Sequence, residues 1–163
     1  MTVGTQQDRE TGSKDQSQQQ PPTGAELTRK ATEALQRLMS TSIEEAIEAV
    51  SEGETLIPFV ALVDAGGKLA LRRFVDGTVD QAKAFLGAMD PPPVLACVCG
   101  DGYLNTDDGP QDAIIVQGYS PDLKKSQIGA QRYLPATDGA PARKLGQPQI
   151  INRGDNLLRT PAG

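Results

Sequence analysis

From Thr23 onward the apolar residues recur with helical and then strand periods. Thr23-Gly24-Ala25-Glu26 has the form of a capping box, in which a threonine hydroxyl accepts from the third helical amide and a glutamate reaches back. Behind it Leu27, Ala31, Leu35, Leu38 and Met39 share one helical face, which predicts an amphipathic helix ending near Ser40. Ser42 and Glu45 form a second capping box, so a second helix is expected at once, with Ile43, Ala46, Ile47 and Val50 as its apolar face. Gly53 suits the position just past its end.

The period then changes. Leu56 to Val63 is short, apolar and rich in strand-forming residues, and Lys68 to Val75 follows after Asp64-Ala65-Gly66-Gly67. Glycines in that spacer supply the positive φ a tight turn needs, so the pair reads as a hairpin. Leu69 and Leu71 point to one side of the second strand, Ala70 and Arg72 to the other. Thr78-Val79-Asp80-Gln81 opens a third helix, which Pro91-Pro92-Pro93 stops. Three more strands are predicted at Val94 to Leu104, Asp112 to Tyr119 and Gln127 to Leu134, the first two joined by the turn-rich stretch Asn105 to Pro110.

The order is helix, helix, strand, strand, helix, strand, strand, strand. Short connections between consecutive strands favour antiparallel neighbours. The expected fold is therefore α+β, an antiparallel sheet of about five strands covered by helices. Residues 23–135 form its single domain. Residues 1–22 hold almost no large apolar side chain and include Gln18-Gln19-Gln20-Pro21-Pro22, which predicts a disordered Gln/Pro-rich tail. Residues 136–163 are rich in Pro and Gly and read as loosely ordered, with Ile150-Ile151 suggesting an edge strand at 148–152.

Composition narrows the chemistry. The chain has no histidine, which removes Ser-His-Asp and Cys-His nucleophiles, imidazole bases and His-ligated zinc. No catalytic residue is assigned. The net charge of -5, with no basic stripe, speaks against nucleic-acid binding, where phosphate contacts supply most of the affinity. Arg72-Arg73 and Lys124-Lys125 are the notable basic doublets. No apolar run is long enough to span a membrane, and Met1 to Gln7 lacks the features of a signal peptide, so cytoplasmic residence is expected.

Cys97-Val98-Cys99 places two thiols on one strand face, but with no further Cys or His for a metal the pair reads as two small core residues. Asp101, Asp107, Asp108 and Asp112 with Asn105 flank one turn, and their spacing does not fit a calcium-binding loop. Arg153-Gly154-Asp155 is too short a string to carry meaning. The least bland surface is a tyrosine and arginine set, Tyr103, Tyr119, Arg132 and Tyr133, which would gather on one sheet face if their strands were neighbours. Such a patch suits a protein interface. With Asp101 it would suit a small-molecule pocket instead. Leftover apolar surface on Leu35, Leu38, Ile43 and Ile47 would serve self-association.

Gly102-Tyr103, then Asp112 to Val116, then Gln131-Arg132-Tyr133 resemble stretches of small bacterial α+β proteins of uncharacterised function. The element order also resembles that of roadblock and profilin-like domains. That resemblance implies a partner-binding module, often dimeric. The expectation is a non-enzymatic cytoplasmic interaction module with a protein partner or a second copy, and without cofactor, metal, membrane or nucleic acid.

Overall fold

In a computed structural model, residues 23–158 are described. The expected tail at 1–22 lies outside them. One helix, α1 (Gly24–Val50), replaces the two anticipated at the front. Thr23 caps it as expected, its hydroxyl accepting from the Glu26 amide at 3.1 Å. The predicted break at Ser40 to Ser42 does not occur. The Thr41 and Ser42 hydroxyls donate back to the carbonyls of Arg37 and Leu38, at 3.0 and 2.9 Å. Each thus bonds four residues back inside a running helix instead of capping a new one. Neither Gly nor Pro interrupts the stretch, and its two apolar faces are in phase: Leu35, Leu38, Met39, Ile43, Ala46 and Val50 are all buried. Gly53, at φ 92°, turns the chain away beyond the helix, its amide donating to the Val50 carbonyl.

Strands β1 (Phe59–Val63) and β2 (Leu69–Arg73) form the first hairpin. Its turn is organised by Asp64, whose carboxylate accepts from the amides of Gly66 and Lys68 at 2.9 Å each, with Gly67 at φ 84°. Helix α2 (Val79–Gly87) begins in a complete capping box between Thr78 and Gln81. Strands β3 (Leu95–Thr106) and β4 (Gly109–Tyr119) make a second, longer hairpin. The stretch anticipated as a loop from Asn105 to Pro110 is mostly strand, because Gly109 at φ 105° reverses the chain and the Thr106 hydroxyl donates to its carbonyl at 2.7 Å. After β5 (Ser126–Leu134) come β6 (Arg143–Lys144) and β7 (Gln149–Gly154).

The fold is α+β with an antiparallel sheet, but seven strands stand where about five were expected. The order is β2-β1-β3-β4-β5-β6, and β7 also pairs with β5. The two additional strands come from the Pro- and Gly-rich segment after 135. There β6 is only two residues long, too short to leave a periodic signal.

The helices lie on opposite faces of the sheet. Under α1, Leu35, Phe59, Cys97, Cys99, Ile114 and Val116 form one core cluster. Under α2, Val60, Ala82, Leu86, Ala96, Val98, Tyr119 and Leu158 form the other. The alternation of β1, β3 and β4 accounts for both: successive side chains enter opposite cores, so these strands are apolar on both faces where the helices cover them. Gly118 marks the closest approach of α1. A Cβ there would lie 2.9 Å from Leu35 Cδ1 and 2.8 Å from Met39 Sδ. No helix among the described residues is long and apolar enough to cross a membrane.

Candidate functional site

Strand register decides what the four candidate residues can do together. Tyr103 stands opposite Asp112 on β4, and Asp101 opposite Ile114, so these side chains lie on the α1 face. Gln131 opposes Ile114, which puts Tyr133, two residues on, on that face as well. Tyr119 opposes Ala96 and enters the α2 core, where it is only 1% exposed. Arg132 opposes Ala113, which stands opposite Gly102, and so shares the α2 face with Tyr119. Along β4 the partner of Arg132 is six residues from Tyr119, roughly 20 Å at the usual rise per strand residue. The structure therefore divides the set between the two faces and separates its members further along the strands. The pocket imagined between Tyr103, Tyr119, Arg132 and Asp101 does not form.

What it does bring together is a small corner on the α1 face. The Tyr133 hydroxyl donates to Asp101 Oδ1 at 3.0 Å, while Asp101 also accepts from the Gly102 amide. Burial first, then the neighbouring carboxylates of Asp101 and Asp112, push the Tyr133 phenol above its ordinary value. The Gln111 side chain donates to the Tyr133 carbonyl at 2.9 Å. Tyr133 is itself buried, so it fastens β5 to β3 across β4 and leaves little surface to a partner. Tyr103, 62% exposed, is open to contact, and Arg132 is half-buried.

The cysteines are core residues. Both are fully buried and free, facing α1 beside Ser42. Burial raises the Cys97 thiol to about 12, against a smaller lowering by its hydrogen bond with Ser42. Cys99 is raised further, by burial and by its neighbour Cys97. A thiol held protonated is a poor nucleophile and a poor metal ligand. Among the described residues no group of three or more His, Cys, Asp or Glu side chains is placed to hold a metal ion.

Arg72 and Arg73 do fall on opposite faces of β2, and each has a partner. The Arg73 guanidinium donates to Glu45 of α1 at 2.6 Å. Arg72 lies 4.4 Å above the Phe85 ring and 5.5 Å from that of Phe74, which themselves meet edge to face. The helix surface considered for self-association is spent on the sheet. Leu35, Leu38 and Ile43 are buried there, and Ile47 is partly covered.

The apolar surface left open lies elsewhere. Strand β2 ends the sheet, and all five of its residues are exposed. Leu69 stands opposite Val63, which stands opposite Leu95, giving a row of three aliphatic side chains across three strands. Leu69 and Leu71 are 45% and 39% exposed, and Val63 and Leu95 are half-buried beside them. The alternation of Leu69 and Leu71 was visible in the sequence. That β2 would be terminal, with α1 leaving this part of the face uncovered, was not. No protein-family model, curated protein or solved structure matches this chain.

Proposed function

We propose that this chain is a non-enzymatic interaction module that docks a partner protein along the β2 edge. One observation carries the reading. Among the described residues β2 pairs only with β1, so the outer side of its backbone is unpaired while Leu69 and Leu71 stand exposed on it. Natural proteins usually blunt such an edge, because unpaired N–H and C=O groups recruit another strand. An extended segment of a partner that adds to β2 gains main-chain hydrogen bonds. It would add its own apolar side chains beside Leu69, at the outer end of the Leu69–Val63–Leu95 row. The partner is either another protein or a second copy, and the site of action is the cytoplasm. The resemblance to roadblock and profilin-like modules is one of element order alone, and the proposal does not rest on it. It rests on the edge.

The test compares native mass spectra of the protein isolated gently from its own cells with those of the Leu69→Lys/Leu71→Lys variant. The proposal expects a bound protein or a dimer in the first and a monomer of unchanged melting temperature in the second. Tyr103→Ala, on the same face but at the far end of β3, is expected to keep the partner. A complex that survives the double substitution overturns the assignment of the edge, and a bare monomer in both samples overturns the module.

A further inference from the structure

At the other edge of the sheet from β2, a cleft of about 670 Å³ opens between the first turns of α1, the connection from β4 to β5, and β7. Its walls carry Thr28, Thr32, Lys124, Lys125, Gln127 and Arg153. We propose that this cleft binds a small molecule that combines an anionic group with hydroxyls, the chemistry of a sugar phosphate or a polyhydroxy carboxylate.

Charge is the first observation. The whole chain carries a net charge of -5, yet three cations converge here against one lining carboxylate, Asp122. Among the described residues the ion pairs are Arg29 with Glu33, Arg73 with Glu45 and Lys144 with Glu44, so none of them engages Lys124, Lys125 or Arg153. Three cations outside any ion pair, in an acidic protein, focus an anion into the cleft. Arginine adds a planar fork that fits two oxygens of a phosphate or carboxylate.

Gln127 is the second, and it is independent of charge. Its side chain lines the cleft, the residue is 6% exposed, and its buried Oε1 has no hydrogen-bond partner among the described residues. Register explains why the fold itself does not satisfy it. Gln127 stands opposite Gly118 on one side, where Leu35 and Met39 fill the space a side chain would take, and opposite Arg153 on the other. Its partner position on β4 thus has no side chain to donate to it. A buried carbonyl oxygen needs a donor, and an anion alone supplies none. A ligand that carries a hydroxyl as well as its acid group supplies that donor once the Gln127 amide turns its oxygen toward the cleft. Thr28 and Thr32, four residues apart on α1, lie on one side of the helix and add two hydroxyls that both donate and accept. The volume lies within the usual range for small-molecule sites.

The experiment uses the full chain with four probes: inorganic phosphate, glucose 6-phosphate, gluconate and glucose. Binding is read by isothermal titration and by the shift of the Gln127 side-chain amide resonance. Glucose 6-phosphate or gluconate is expected to bind, to weaken as salt rises, and to move that resonance. The two arms distinguish phosphate from carboxylate. Glucose is expected not to bind, and inorganic phosphate to bind at least tenfold more weakly than the preferred probe. Lys125→Gln/Arg153→Gln is expected to lower affinity for the preferred probe at least tenfold. Gln127→Leu is similar in size and removes an amide whose buried Oε1 has no partner among the described residues. It should fold and erase the preference for the hydroxylated anion over inorganic phosphate. No binding by any probe overturns the proposal, as does binding that survives the double substitution. A Gln127→Leu protein with intact preference overturns the role of the hydroxyl.

Discussion

The seat of α1 on the sheet can be tested by a double-mutant cycle at Leu35 and Gly118. In Gly118→Ala the new methyl would lie 2.9 Å from Leu35 Cδ1, 3.0 Å from Leu35 Cγ and 2.8 Å from Met39 Sδ. Met39 Sδ belongs to a flexible side chain, whereas Leu35 Cγ retreats only if χ1 leaves its packed position or the helix moves. Overpacking of this kind costs roughly 1–3 kcal/mol, offset by the ~0.4–1 kcal/mol an alanine returns by restricting the unfolded chain. The net expectation is a loss of about 1 kcal/mol. Leu35→Ala empties a site that is fully buried, for roughly 3 kcal/mol. Together the two changes partly cancel, since the methyl added at position 118 enters room vacated by the leucine. The double variant is expected to be more stable than the sum of the single losses by about 1 kcal/mol. Urea unfolding followed by circular dichroism measures all four corners of the cycle. Independent losses that simply add, or a Gly118→Ala protein as stable as the parent, would refute the close approach of helix and strand.

Three further outcomes follow from the buried groups and one from a covered ring. Cys97 and Cys99 should resist iodoacetamide in the folded protein at pH 8 and react fully in denaturant, as mass spectrometry would register. Because folding raises Cys97 from 9.0 to about 12 and raises Cys99, Tyr119 and Tyr133 as well, their neutral forms favour the native state. The unfolded chain loses these protons first as pH rises. Their contribution is complete below about pH 9 and falls above it, approaching about 1.4 kcal/mol per pH unit for each buried thiol in the interval. A stability curve flat from pH 8 to 11 would contradict that sign. Tyr133→Phe should cost about 1 kcal/mol for the lost bond to Asp101, and Asp101→Asn, which keeps an acceptor, should cost less in the same unfolding assay. Arg72→Ala should lose ~0.5–1 kcal/mol through the Phe85 face it covers, and Arg72→Lys should recover part of this.

Local signals in the sequence were legible because they depend on residues a few positions apart. The Thr23 and Thr78 caps and the Asp64 to Gly67 turn belong to this kind. The division at Ser40 to Ser42 misled for the same reason. A serine followed three residues later by glutamate has the form of a cap, yet an in-phase apolar face carried the helix through it. The seating of α1 on β3, β4 and β5 is tertiary, and no window along the chain contains it. Strand order lies at that same level. Tyr119 seemed available to join Tyr103, and only the register, with Ala96 opposite it, assigns it to the other face. Arg132 and Tyr133 are consecutive on β5, and strand alternation alone parts them. The cleft at Gln127 was equally hidden. Lys124-Lys125 stood out as a doublet, but Arg153 joins it only through the pairing of β7 with β5.

Leu158 is the last of the described residues in the α2 core, 39 residues after Tyr119 in the same cluster. At roughly 5–20 residues per second, a nascent chain makes that stretch in about 2–8 s. Over that interval Tyr119, Val98 and Leu86 are already made while Leu158 is not. The two faces of the sheet thus mature at different times during synthesis. The α2 face is the later of the two, since the last described member of the α1 cluster is Ala142.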